Sequence, residues 1–300
     1  MTHQYKKINN KVAAQIAIKP TALVAMEQNF PTSQRIIHDD FAKKIIPGSY
    51  RFFTKLMRKP KIRDKIVASL ERRAPGLWGG MMCRKRYIDD KLLSYLTTKG
   101  SIGAVVNLGA GYDTRAYRLP DLKNVPVWEV DLPANIAAKQ KVLNKIIVNI
   151  PSNVKLVSVD FNQEELGQVL ESKGFDINTK TFYIWEAVTQ YLTEVGVRKT
   201  FDFLTRAPKG SRLVFTYVRK DFIEGKNQYK QELLYKEIII KRRSWHFGFD
   251  PEKVTEFLNE YGWCIVDHLG YDDLDELYVK PTGRKLSVMA IERMVYAEKL

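Results

Sequence analysis

From Ser101 onward the chain alternates two hydrophobic patterns. Short β-branched runs, "AVVNLGAG", "VPVWEVDLP", "VKLVSVDF", "TFYIWEAV" and "RLVFTYV", are separated by stretches with apolar residues at helical spacing. Those stretches are "ANIAAKQKVLNKII", "NQEELGQVLESKG" and "TEVGVRKTFDFLTRAP". Five strands divided by helices predict an α/β fold, a parallel sheet with helices on both faces. A helix-like "DPEKVTEFLNEYG" then precedes two late strands, "WCIVDHLGY" and "KLSVMAIERMVYAEK", expected as an antiparallel pair completing one sheet edge. Residues 1–95 lack β-rich alternation and read as helical, broken at Pro20, Pro31, Pro47, Pro60 and Pro75. The segment "QYKQELLYKEIIIKRRSW" after the fifth strand reads as an extra helix over the strand ends. The expected organisation is a helical N-terminal lid over 1–95 and a core over 96–300 with an insert at about 222–248.

Composition narrows the function classes. With 300 residues, 45% apolar and 11% aromatic, the chain can bury a large core as one elaborated domain. Cys83 and Cys264 form no disulfide framework and no CxxC pair, and His3, His38, His246 and His268 lack zinc-ligand spacing. A reduced, cytoplasmic setting is expected. The first twenty residues contain no apolar core segment, so no secretory leader is expected, and no apolar run approaches the roughly 20 residues of a membrane span. The net charge of +15 raises nucleic acid as a partner, with local groups at "KLMRKPKIRDK" and "KRRS". Basic residues occur in nearly every segment and no RNA-binding motif is visible, so a solvated lysine-rich surface is preferred. An RNA-modifying or nucleic-acid-binding protein stays as the alternative.

Candidate chemistry concentrates at the strand ends, where open α/β sheets bind ligands. "NLGAG" ends the first strand, and Gly109, Ala110 and Gly111 would bring backbone close to a ligand. A dinucleotide loop requires G-x-G-x-x-G, but Thr114 holds the third position, and no phosphate-binding Walker loop occurs. Glu129 and Asp131 follow about 20 residues later and could accept hydrogen bonds from a ribose diol. NAD(H) and S-adenosyl-L-methionine both satisfy this pattern; the missing glycine favours the cofactor without phosphates. Asp160-Phe161 after the third strand suits an adenine amine and ring, and Glu186 ends the fourth.

"NLGAGYDTRAYRL", followed by "WEVDLP" and "YIWEAVTQYLT", resembles the leucine carboxyl methyltransferase family, including its bacterial S-adenosylmethionine-dependent O-methyltransferases. "CRKRYIDDKLL", "HDDFAKKIIPG", "FGFDPEKVTEFLNEYGW" and "IERMVYAEK" extend the resemblance over roughly residues 20–298. It implies a Rossmann-like class I methyltransferase with a mostly parallel seven-stranded sheet. Residue by residue, it implies that Arg84 grips the carboxylate of the cofactor's methionine moiety and that Gly109 and Gly111 lie under its amino-acid part. Asp131 would face the ribose, with Glu129 the alternative if the register slips by two. Asp160 and Phe161 would surround adenine, and Glu186 would stand near the methionine amine.

Two departures stand out. Met26 and Gln28 occupy the stretch after "TA" where family members often carry a basic residue, and "EAVTQYL" replaces "EG-x-x-x-YL". Asp113 is expected to cap the following helix, while Arg115 and Arg118 pair with neighbouring acids. The methyl acceptor is expected to be a small molecule or a C-terminal peptide. Tyr191, Tyr217 and His246 are the candidates on its side, with no catalytic base assigned.

Overall fold

The computed structural model describes residues 10–97 and 102–300, with side chains described from Ala17 onward in those ranges. The five β-branched runs form β1 (Ala104–Leu108), β2 (Val127–Asp131), β3 (Val154–Ser158), β4 (Thr181–Trp185) and β5 (Arg212–Val218). The late runs form β6 (Trp263–Leu269) and β7 (Glu292–Lys299). All seven make one sheet in the order β3-β2-β1-β4-β5-β7-β6. Neighbours among β1 to β5 are parallel, and β7 lies antiparallel between β5 and β6. β1, β2 and β4 are buried along their whole length because helices cover both faces, which is why they read as mainly apolar runs without strict alternation. Edge strand β3 instead exposes Lys155 and Ser158, a polar edge that discourages further pairing.

The N-terminal region is α1 (Asn10–Glu27), α2 (Ala42–Ile45), α3 (Gly48–Leu56), α4 (Pro60–Arg73) and α5 (Leu77–Thr97). One expected break is absent: Pro20 lies inside α1. A proline there forfeits one backbone hydrogen bond, but the helix is held by burial of Ala22, Val24 and Ala25 and by Thr21 Oγ1 donating to the Tyr112 carbonyl at 3.0 Å. Pro47 and Pro60 stand at the starts of α3 and α4, where a missing N–H costs little.

After β1 comes a single turn, α6 (Arg115–Arg118), then α7 (Pro133–Ile146), α8 (Leu166–Ser172) and α9 (Glu194–Thr205). The expected insert helix is split into α10 (Lys220–Ile223) and α11 (Glu232–Tyr235), the latter widening into a π-helical stretch, Lys236–Lys241. The chain finishes through α12 (Val254–Glu260) and α13 (Tyr271–Leu274) around the last two strands. On one sheet face α1, α2, α5 and α7 share a core with Val105, Phe182 and Val214. On the other, α8, α9 and α12 pack on Val106, Tyr183 and Phe215. The N-terminal helices therefore share the sheet's core. The strand order reverses at β1, flanked by β2 and β4, so the crevice at the carboxyl ends of these strands is the natural ligand position.

Candidate functional site

Gly109 leaves β1 with φ +74, and a Cβ there would meet Val188 Cγ2 at 2.2 Å. Both the backbone conformation and the packing demand glycine. Gly111 also has positive φ, +46, and its N–H donates to Asp131 Oδ2 at 2.6 Å. Thr114, at the third glycine position, is buried and donates to Asp39 Oδ2 at 2.5 Å. It is a packing tie, and the helix behind it is one turn long, too short to offer a pyrophosphate an aligned helix end.

Asp131 ends β2 and accepts further bonds at Oδ1 from the Leu132 N–H and Asn135 Nδ2, both at 2.7 Å. Burial pushes its carboxyl above the ordinary range against the pull of these donors. Glu129 is a correction. It does not line the cavity: its side chain is buried one pleat deeper, bonded by Tyr117 Oη at 2.7 Å and paired with Lys139 Nζ at 2.8 Å. Asp131, at the strand end, is the acid that reaches the cleft.

Arginines and acids from four elements interlock beside this loop. Arg84, on α5, donates through Nε to Glu186 Oε1 at 2.9 Å and through Nη1 to Glu292 at 2.8 Å. Its Nη2 has no hydrogen-bond partner among the described residues. Glu186, just past β4, also pairs with Lys85 at 3.1 Å and with Arg115 at 3.0 Å. Burial alone would raise the Glu186 carboxyl, but Lys85, Arg115 and Arg84 hold it well below the usual carboxylate range. Arg115 also pairs with Asp89 at 2.7 Å and with Asp113, and Arg118 donates to Asp89 at 2.5 Å. Asp113 accepts from the Arg115 N–H at 2.7 Å and closes the turn before α6, but Thr114 rather than Asp113 holds the N-cap position. Arg115 and Arg118 are thus held by acids as expected.

Beside this network lies a cavity of about 840 Å³, towards the upper end of the roughly 300–1,000 Å³ of small-molecule sites. Arg84, Gly109, Ala110, Gly111, Asp131, Asp160, Phe161 and Glu186 all reach it. Lys85 and Glu292 line it too, and sequence reasoning passed over both. Lys85 is visible only as the neighbour of Arg84, whereas Glu292 lies far along the chain at the start of β7. Its role depends on β7 being inserted beside β5. Of the acceptor-side candidates only Tyr191 lines the cavity. Tyr217 points into the opposite core and meets His268 Nε2 at 2.8 Å, and the His246 N–H is held by the Gln190 carbonyl at 2.7 Å. Met26 lines the cavity, while Gln28 is buried and ties α1 to the Ile37 carbonyl and the Asp39 N–H. The cation of this helix that reaches the cavity is Lys19, before "TA" rather than after it.

Apolar side chains also line the cavity: Leu70, Leu77 and Met81 of α4 and α5, and Leu234, Ile238 and Trp245 of the insert, the last edge-on to Tyr191 at 6.2 Å between ring centroids.

The leucine carboxyl methyltransferase family model matches residues 17–205. A Bacillus subtilis (strain 168) protein, YktD, named as a candidate S-adenosyl-L-methionine-dependent methyltransferase, is 30% identical over 194 residues, 64% of this chain and 63% of that one. A Mycobacterium avium (strain 104) protein of the same description is 26% identical over 237 residues, 76% of each chain. Among solved structures, a DUF574 family protein from Streptomyces avermitilis superposes with TM-score 0.58 at 14% identity, covering 78% of this chain and 88% of its own. A candidate methyltransferase from Thermobifida fusca YX gives TM-score 0.54 at 13% identity, covering 91% and 97%. These two likenesses establish the class I methyltransferase fold, and the match across most of the loop, strand-end and α5 segments establishes the kinship: the chain belongs to the leucine carboxyl methyltransferase family of S-adenosyl-L-methionine-dependent methyltransferases.

Proposed function

We propose that this protein transfers the methyl group of S-adenosyl-L-methionine to a carboxylate oxygen of an apolar small molecule. The observation that carries the reading is the charge of the cavity. Six carboxylates (Asp113, Asp131, Asp160, Glu164, Glu186 and Glu292) and four cations (Lys19, Arg84, Lys85 and Arg242) line it, in a chain of net +15. An acid-rich pocket in a basic protein favours a cofactor with a sulfonium and an ammonium against one carboxylate, and disfavours the pyrophosphate of a dinucleotide.

Arg84 Nη2 is the donor proposed for the cofactor's carboxylate, and Glu186 the partner of its ammonium. Asp131 takes the ribose diol; Asp160 and Phe161 take adenine. When bound, the cofactor supplies an electrophilic methyl group for in-line displacement, so the chain's work is positioning and exclusion of water. Helices α1 to α5 and the insert serve as the lid over the acceptor.

The acceptor's form follows from what the polar end lacks. Glu186 is held ionised by three cations and is a weak base, and burial raises the Tyr191 phenol so that it stays protonated. A carboxylate arrives already ionised and needs no base. The apolar arm between α4, α5 and the insert suits a hydrocarbon or aryl tail. Free thiols at Cys83 and Cys264 fit a reducing cytoplasmic setting.

Calorimetric titration with S-adenosylhomocysteine and NADH tests the cofactor: binding of the first alone is expected. Incubation with S-adenosyl-L-methionine and a panel of apolar carboxylic acids, matching alcohols and short peptides tests the acceptor, read as methyl ester by mass spectrometry. Esterification of apolar acids is expected. Methylation of alcohols or peptide termini in preference to them would overturn the carboxylate assignment.

A further inference from the structure

The cavity mouth carries a surface that methyl transfer does not account for. We propose that the α3–α4 hairpin is a docking surface for anionic phospholipid membranes. Phe52 and Phe53 are 61% and 52% exposed and pack edge-to-face on each other, 6.0 Å between ring centroids. Buried Thr54 and Met57 anchor the opposite side of α3, so the aromatic pair is held outward. Around it stand exposed Lys55, Arg58, Lys59, Lys61 and Lys65, none with a carboxylate partner among the described residues. Between Lys43 and Arg73 there are eleven basic and two acidic residues, so more than half of the net +15 is carried by about a tenth of the chain.

An exposed apolar pair flanked by unpaired cations has the composition of a helix that lies in the membrane interface, its rings in the acyl boundary and its cations on anionic headgroups. No described helix is long and apolar enough to cross a membrane, so the contact is peripheral. The surface is also continuous with the active cleft. A shallow recess lined by Phe53 shares Lys19, Tyr50 and Tyr112 with the main cavity. Docking through Phe52 and Phe53 therefore sets the cavity mouth against the lipid, where apolar molecules concentrate. Nucleic acid also seeks cations, but its binding would depend on them alone or on bases stacking against rings, whereas in this edge-to-face pair the edge of one ring already covers a face of the other.

Flotation of the full chain with vesicles of phosphatidylcholine, and with vesicles containing equal parts phosphatidylglycerol, tests the proposal. Flotation with the anionic vesicles alone is expected, falling roughly tenfold at high salt. A comparable loss is expected for the double variant Phe52→Ser/Phe53→Ser and for Lys55→Glu/Lys59→Glu/Lys61→Glu. S-adenosylhomocysteine affinity should be unchanged in both, which shows that the fold survives. Equal flotation with neutral vesicles, no flotation, or loss in the lysine variant without loss in the phenylalanine variant overturns it. So does tighter capture of a short single-stranded RNA than of anionic vesicles, which would assign the surface to nucleic acid.

Discussion

Ala187 follows Glu186 with φ +57, a left-handed conformation that costs a side-chain-bearing residue roughly 1 kcal/mol. It stands where the family pattern carries glycine. The turn is imposed by its surroundings: the Ala187 N–H donates to Thr216 Oγ1 at 2.9 Å, and the same hydroxyl donates to Glu292 Oε1 at 2.9 Å. Backbone and ion-pair network are thus tied through one threonine, and the turn aims Glu186 at Arg84 and Lys85. Ala187→Gly removes the strain at the cost of a looser unfolded chain, worth about 0.4–1 kcal/mol, so a small net gain of at most about 0.5 kcal/mol in stability is expected by urea denaturation. A loss of stability would show that the Ala187 methyl packs usefully and that the turn is not strained. Legibility has a limit at this scale. The pair Glu129 and Asp131 illustrates it: both point to the same side of β2, and only the observed end of the strand decides which reaches the cleft. Glu292 was illegible for another reason, since its partner Arg84 lies 208 positions away.

At the scale of elements, the five parallel strands were readable because burial on both faces leaves them little room for polar residues. The antiparallel pair was readable from its proximity in sequence, though not its order, with β7 rather than β6 inserted next to β5. Helix breaks were over-read. A proline signals a boundary only when nothing else holds the helix, and α1 is held by Ala22, Val24 and Ala25 in the core. The insert was recognisable as helical, but its π-helical stretch depends on packing and left no pattern. That insert lines the cavity with α4 and α5 through Leu234, Ile238 and Trp245, whereas the proposal seats the cofactor on the glycine loop. Ile238→Ala should therefore raise the KM for the acceptor about tenfold, the effect of losing one to a few apolar groups from a pocket. The dissociation constant of S-adenosylhomocysteine should stay within about twofold of the parent value. Equal weakening of both would mean that the insert shapes the cofactor site, and the division of the cavity would be wrong.

At the scale of the whole molecule, buried titratable groups pull stability in opposite directions with pH. Asp39, Glu129 and Asp131 are pushed up chiefly by burial and favour the folded state as protons are added. Glu186 and Asp113 are held down by cations despite burial and lose their contribution as pH falls. His268 acts in a separate window. It lies on the edge strand β6, and its side chain meets β7 and β5: Arg293 Nε donates to its Nε2 at 3.1 Å and Tyr217 Oη meets the same nitrogen at 2.8 Å. An arginine nitrogen has no acceptor, so Nε2 is the unprotonated ring nitrogen. Burial and the Arg293 charge lower its pKa to about 4 from an ordinary 6.5, with Asp273 opposing. The unfolded chain therefore binds the proton first. The neutral ring's contribution is full above about pH 6.5 and is lost as pH falls from there towards 4. Because His268 is only partly buried, solvent screening trims the effect to about 1–2 kcal/mol at pH 5. His268→Gln keeps an acceptor for Arg293 and Tyr217 but cannot titrate. Urea denaturation of parent and variant at about pH 7.5 and about pH 5 should show the parent losing about 1–2 kcal/mol more than the variant. The carboxylates titrate alike in both proteins and cancel in the difference. Equal losses would mean that His268 is charged in the folded state, and the neutral tie between β5, β6 and β7 would have to be abandoned.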